Sequence, residues 1–84
     1  MELILYSKPD CHLCEGLQEK LAKIETLDLK LEIRDITTRQ EWFDAYQYEV
    51  PVLFQKVAEQ ETLIPRPSPR ASVSQLAKIL SKYQ

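Results

Sequence analysis

The chain has two cysteines, three residues apart in Cys11-His12-Leu13-Cys14. A thiol pair at this spacing can exchange disulfides, hold a metal, or pack as two small apolar groups. Its surroundings favour exchange. The motif follows the apolar run Glu2–Ser7, after the break Lys8-Pro9-Asp10, and opens a segment with helical periodicity. Residues three apart on a helix are neighbours, close enough for a disulfide without unwinding the turn. Cys11, at the helix start, meets the partial positive charge of unpaired backbone N–H groups, which stabilises a thiolate. Cys14, one turn inside, is expected to be less exposed and to act second. In the resulting cycle Cys11 attacks a substrate disulfide, a mixed disulfide forms, and Cys14 resolves it to leave the oxidised pair.

The other two readings are weaker but stay open. A structural zinc needs four ligands. Beyond the pair there is one histidine, His12, lying between the cysteines. Carboxylates or water would have to complete the site, so no metal is expected. Inert packing of both thiols accords poorly with a strand-to-helix junction. An imidazolium at His12 would favour thiolate and so tune the pair; the alternative is a ring that projects into solvent.

These residues need a frame, and the hydropathy pattern supplies one. Residues 2–7 read as a central strand covered on both faces. From Cys11 to about Ile24 the period is helical, with Leu13, Leu17, Leu21 and Ile24 forming one stripe. Residues 29–36 alternate, Leu29, Leu31 and Ile33 against Lys30, Glu32 and Arg34, as a strand near a sheet edge does. The polar face of Lys30–Asp35 is expected to be solvated. Strand, helix and strand make a βαβ unit with parallel strands. Thr38-Arg39-Gln40-Glu41 fits a capping box for a short second helix that buries Trp42, Phe43 and Tyr46 as core side chains. Residues 50–54 form a third strand opening at a proline. Residues 61–64 form a fourth, antiparallel to it through a glycine-free turn at 56–60. Pro65, Pro67 and Pro69 make a stiff connector that stops the fourth strand. Ser72-Val73-Ser74-Gln75 is a second capping box, opening a last helix with Val73, Leu76, Ala77, Leu80 and Tyr83 on one face.

Composition sets the outer limits. Eighty-four residues suit one domain, residues 1–84. An apolar fraction of 44% predicts a packed core, and a single glycine excludes a phosphate loop or dinucleotide fingerprint. A net charge of −2 without a basic cluster gives no basis for nucleic acid or a membrane surface as partner. No run is long enough to span a bilayer, and the first residues lack the pattern of a signal peptide. A cytoplasmic location is therefore expected, where thiols are mostly reduced and a cysteine pair is catalytic more often than structural.

Tyr6-Ser7-Lys8-Pro9-Asp10-Cys11-His12-Leu13-Cys14 resembles the strand, lysine and active-site turn of glutaredoxins. Val50-Pro51-Val52-Leu53 resembles the thioredoxin-superfamily segment whose proline is cis and faces the disulfide. Element order and length also agree, and the chain is most similar to a family of short glutaredoxin-like proteins described as a domain of unknown function. The resemblance implies a thioredoxin-like α/β fold, βαβ-αββα, with a four-stranded mixed sheet flanked by three helices. It implies a thiol–disulfide oxidoreductase with Cys11 and Cys14 as the redox pair. It gives Lys8 two tasks, lowering the thiol pKa and meeting a substrate carboxylate. Val50 becomes the residue whose backbone pairs with the substrate, and Pro51 the cis-proline. The second carboxylate of glutathione would be received at the start of the last helix, near Ser72. There, however, the family's glycine turn is replaced by residues 65–70, leaving Arg66 and Arg70 either as receptors or as plain surface charge. The usual threonine before Val-Pro is here Glu49. The partner implied is a disulfide-containing small molecule or protein. No resident cofactor is implied, glutathione entering only as a co-substrate, and the protein is expected to be a monomer. A non-catalytic binding module of the same fold and a dimeric iron–sulfur carrier with one Cys11 per chain are the alternatives. A scaffold alone would require neither both cysteines nor Lys8.

Overall fold

The computed structural model describes residues 1–83. Strands β1 (Glu2–Ser7), β2 (Lys30–Asp35), β3 (Val52–Val57) and β4 (Gln60–Ile64) form one sheet in the order β2-β1-β3-β4. The helices are α1 (His12–Ala22), α2 (Gln40–Tyr46) and α3 (Val73–Ser81), with a 3-10 turn at Ile36–Thr38. β1 runs parallel to β2 and antiparallel to β3, and β3 runs antiparallel to β4. The order is thus βαβ followed by αββα, as the periodicity predicts.

β1 lies inside the sheet because both of its faces are apolar. Leu3 and Leu5 point to one side, where they pack with Leu21, Ile24, Leu76 and Leu80 from the α1 and α3 segments. Ile4 and Tyr6 point to the other and meet Ile36, Trp42, Phe43 and Tyr46. The period-two alternation of a strand builds both cores from four consecutive residues. The edge position of β2 matches its alternating pattern, with Leu31 packed on the first core and Ile33 40% exposed.

Four local expectations need correction. Leu13 belongs to the apolar stripe of α1 by spacing, yet it is 52% exposed, because the first turn of the helix faces a groove rather than the sheet. The box at Thr38 does not form: α2 is preceded by Arg39, which makes no side-chain cap. Thr38 is instead spent on the 3-10 turn, its hydroxyl donating to the Asp35 carbonyl at 2.7 Å, while Asp35 Oδ1 accepts from the Thr37 N–H at 2.8 Å. β3 starts two residues later than the sequence suggests and runs on to Val57, so the connection to β4 is Ala58 and Glu59 alone. Ala58 takes the positive φ, 54°, that a glycine would ordinarily supply. Finally, the polar face of β2 is not simply solvated. The Arg34 guanidinium lies 5.5 Å from the Tyr6 ring centre and 5.4 Å from that of Trp42, and it donates to the Tyr6 hydroxyl at 2.7 Å. Its Nε pairs with Glu32, and this bond raises the Arg34 pKa further above its ordinary value. The box at Ser72 does form, with Ser72 Oγ accepting from Gln75 N–H at 3.1 Å and Gln75 Oε1 from Ser72 N–H at 2.8 Å.

Candidate active site

Cys11 is the N-cap of α1, in extended backbone conformation, and its sulfur accepts the Cys14 N–H at 3.2 Å. The first turn of a helix leaves its N–H groups without intrahelical partners, and sulfur here takes the place of the usual cap oxygen. Asp10, immediately before, has φ 61°, a left-handed conformation that aspartate tolerates better than most residues. This sharp turn carries the chain from the end of β1 into the helix. Cys11 and Cys14 are disulfide-bonded with their Cα atoms 5.2 Å apart, so the structure holds the oxidised pair. The two sulfurs are not equivalent: Cys11 is partly exposed, whereas Cys14 is 2% exposed.

An apolar groove of about 240 Å³ runs along α1 beside the motif. Leu13, Gly16, Leu17 and Lys20 line one wall, at the i, i+3, i+4, i+7 spacing of one helix face. Pro51 and the 66–69 segment line the other, with Ala71 and Leu76 at the base of α3. The Val50–Pro51 peptide bond is cis. Pro51 is buried and shares the groove with His12 and Leu13 of the motif.

Residues 2–81 match the family model of the glutaredoxin-like domain (DUF836). The chain belongs to that family. Among solved structures, a glutaredoxin-like domain of this shape is similar to thioredoxin 1 from Thermosipho africanus, with 19% identity and a TM-score of 0.65, covering 99% of this chain and 93% of that one. It is also similar to protein XcR50 from X. campestris, with 28% identity and a TM-score of 0.64 over 95% of this chain and 96% of that one. A malarial protein at 14% identity gives a TM-score of 0.64, covering 96% and 93%. The fold is thioredoxin-like. No curated protein sequence matches the chain.

The remaining residues singled out in this glutaredoxin-like domain fall into two groups. Lys8 and Arg70 are exposed cations: Lys8 Nζ makes one long contact, 3.4 Å, to the Gln47 carbonyl, and Arg70 lies beside Ser68, Gln75 and Lys78. The other residues have structural partners already. The Val50 N–H donates to the Tyr46 carbonyl at 3.1 Å, leaving the Val50 carbonyl as the group available for pairing. Arg66 Nη2 donates to the Glu49 carbonyl and, at 3.4 Å, to that of Pro51. Both the N–H and the hydroxyl of Ser72 are held in the capping box. The His12 side chain is 97% exposed, with Nδ1 3.8 Å from Glu15 Oε2, so its ring points outward from the disulfide. Gly16, Lys20 and Ala71 line the groove without having been singled out. For Gly16 and Lys20 the signal is the helical spacing from Leu13 to Lys20, which reads equally well as a packed face; Ala71, before α3, has none. Among the described residues no cluster of metal-ligating side chains occurs, and no helix is long and apolar enough to cross a membrane.

Proposed function

We propose that this protein is a dithiol oxidoreductase acting on disulfides of peptides or proteins, with Cys11 as nucleophile and Cys14 as resolving thiol. The observation that carries the reading is the asymmetry of the pair: a partly exposed sulfur at a helix N-cap, bonded to a buried one, beside an apolar groove. In the reduced protein the Cys11 thiolate is stabilised by the N–H groups of the first helical turn. It attacks one sulfur of the substrate disulfide; the substrate S–S bond breaks and the departing thiolate takes a proton from solvent. The Cys14 thiolate then attacks Cys11 Sγ, breaking the mixed disulfide and releasing the second substrate thiol. Two electrons pass to the substrate, the pair ends as the disulfide, and an external thiol reductant resets it.

The groove supports a peptide over a small charged thiol as substrate. Its lining is apolar, and the Val50 carbonyl offers one main-chain acceptor to an extended segment. Glutathione depends on carboxylate contacts. Of the residues the family resemblance offers for them, Lys8 and Arg70 have no ion-pair partner among the described residues, while Arg66 and Ser72 are engaged. The test is trapping with Cys14→Ser. The reduced variant should accumulate a mixed disulfide on Cys11 with a peptide disulfide, while wild type turns over with a dithiol reductant. A Cys14→Ser protein that stays unmodified while wild type also fails to turn over would favour the binding-module reading.

A further inference from the structure

We propose that Arg66 is a positioning residue that fixes the Glu49–Pro51 segment beside the disulfide, and is not a receptor for substrate carboxylates. The inference rests on the redox reading above and deepens it at one residue. It starts from the sheet. The β3–β4 ladder ends at the pair Leu53 and Ile64. Carried two residues further, the same register would set Arg66 opposite Pro51, but main-chain pairing fails there. Pro65 and Pro67, on either side of Arg66, have no N–H, and among the described residues no backbone N–H donates to the Glu49 or Pro51 carbonyl.

The Arg66 side chain supplies what the ladder lacks. Its Nη2 donates to the Glu49 carbonyl and to the Pro51 carbonyl, the two that flank Val50. From the opposite side, the Val50 N–H is tied to the Tyr46 carbonyl at the end of α2. The segment is therefore held on one side by α2 and on the other by a guanidinium reaching in from beyond β4. Hydrogen bonds from a charged donor are the stronger kind, and arginine keeps its charge at every working pH. A planar fork can also serve two carbonyls without changing its rotamer. Arg66 borders the groove that Pro51 lines. Loosening it would shift the wall a substrate must meet, whatever the charge of that substrate.

The test uses the full chain with Arg66→Gln and, as the charge-preserving control, Arg66→Lys. Amide hydrogen exchange at Glu49 and Val50 should quicken about tenfold in Arg66→Gln, the scale of one charged hydrogen bond. Leu53 and Ile64 should stay as in wild type, and Arg66→Lys should restore part of the protection. Unchanged exchange at residues 49 and 50, or equal quickening throughout the core, would overturn the proposal. Reduction of two disulfides of opposite charge, oxidised glutathione and cystamine, separates the two roles. Positioning predicts that Arg66→Gln lowers kcat/KM for both by the same factor. A loss confined to oxidised glutathione identifies a carboxylate receptor and overturns it. If wild type reduces neither of these nor a peptide disulfide, the redox reading fails, and the exchange measurement still decides the role of Arg66.

Discussion

Gly16 is the single glycine of the chain, and it stands in the interior of α1 with no positive φ. Nothing in the backbone requires it. A Cβ built there meets no atom within 4 Å, so Gly16→Ala adds a methyl group to open space. Alanine is favoured over glycine in a helix interior by about 0.8–1.0 kcal/mol, mainly through the backbone freedom that glycine loses on folding. With the entropy of unfolding scaled to a chain of this size, that gain raises Tm by about 5 °C. Thermal unfolding followed by circular dichroism, with both proteins oxidised, measures it. The same methyl projects into the groove beside the motif, so reduction of a small disulfide should be kept while a peptide with a bulky residue next to its cystine reacts more slowly. A lower Tm for Gly16→Ala would mean that the space is filled and would refute the packing argument. A higher Tm with unchanged discrimination between the two substrates would remove the groove from the substrate site.

Glutathione should bind reduced or Cys11→Ser protein more weakly than it binds an ordinary glutaredoxin, because Ser72 and Arg66 already have partners and three prolines in 65–69 lack N–H donors; chemical-shift titration beside such a control decides it, and equal or tighter binding contradicts it. The Thr37 hydroxyl and N–H, both donating to Asp35 Oδ1, hold that carboxyl below its ordinary pKa. A depressed folded-state pKa contributes stability that is fully present above the unfolded value and lost as pH falls through the folded one. Carboxyl titration by NMR should show Asp35 moving up in Thr37→Val, and no movement would show that the hydroxyl is not a cause.

How far the sequence discloses this molecule depends on the range of the interactions involved. β1 and the Ser72 box are local patterns, a run of apolar residues and a reciprocal pair three apart, and each forms as its residues predict. Leu13 shows the limit of periodicity: spacing shows which face of a helix a residue is on, but the covering of that face depends on where the sheet ends. Leu13 faces the groove instead, whereas Cys14 of the same turn is buried. Thr38 shows a second limit, since two local motifs compete for it and Asp35 wins by closing a 3-10 turn. In the site, the cysteine pair is legible in residue type and position, whereas Val50-Pro51 is legible only through the family resemblance. The tasks of Arg66 and Lys20 are not. Each is a long side chain that donates to a distant carbonyl, Arg66 to Glu49 and Pro51, Lys20 to Pro69 at 2.7 Å. A charge in a sequence does not say which backbone oxygen will fold back to meet it.

The central claim is that Cys11 attacks and Cys14 resolves, and alkylation of the reduced protein as a function of pH tests it most directly. Iodoacetamide labelling, read at each cysteine by peptide mass spectrometry, gives the thiol pKa and the order of reaction together. Cys11 caps the helix and is partly exposed, whereas Cys14 is buried one turn inside. Cys11 should therefore be modified first, with a midpoint below the free-thiol value of about 8.5. Modification of Cys14 first, or both thiols titrating near the free value, would contradict the assignment.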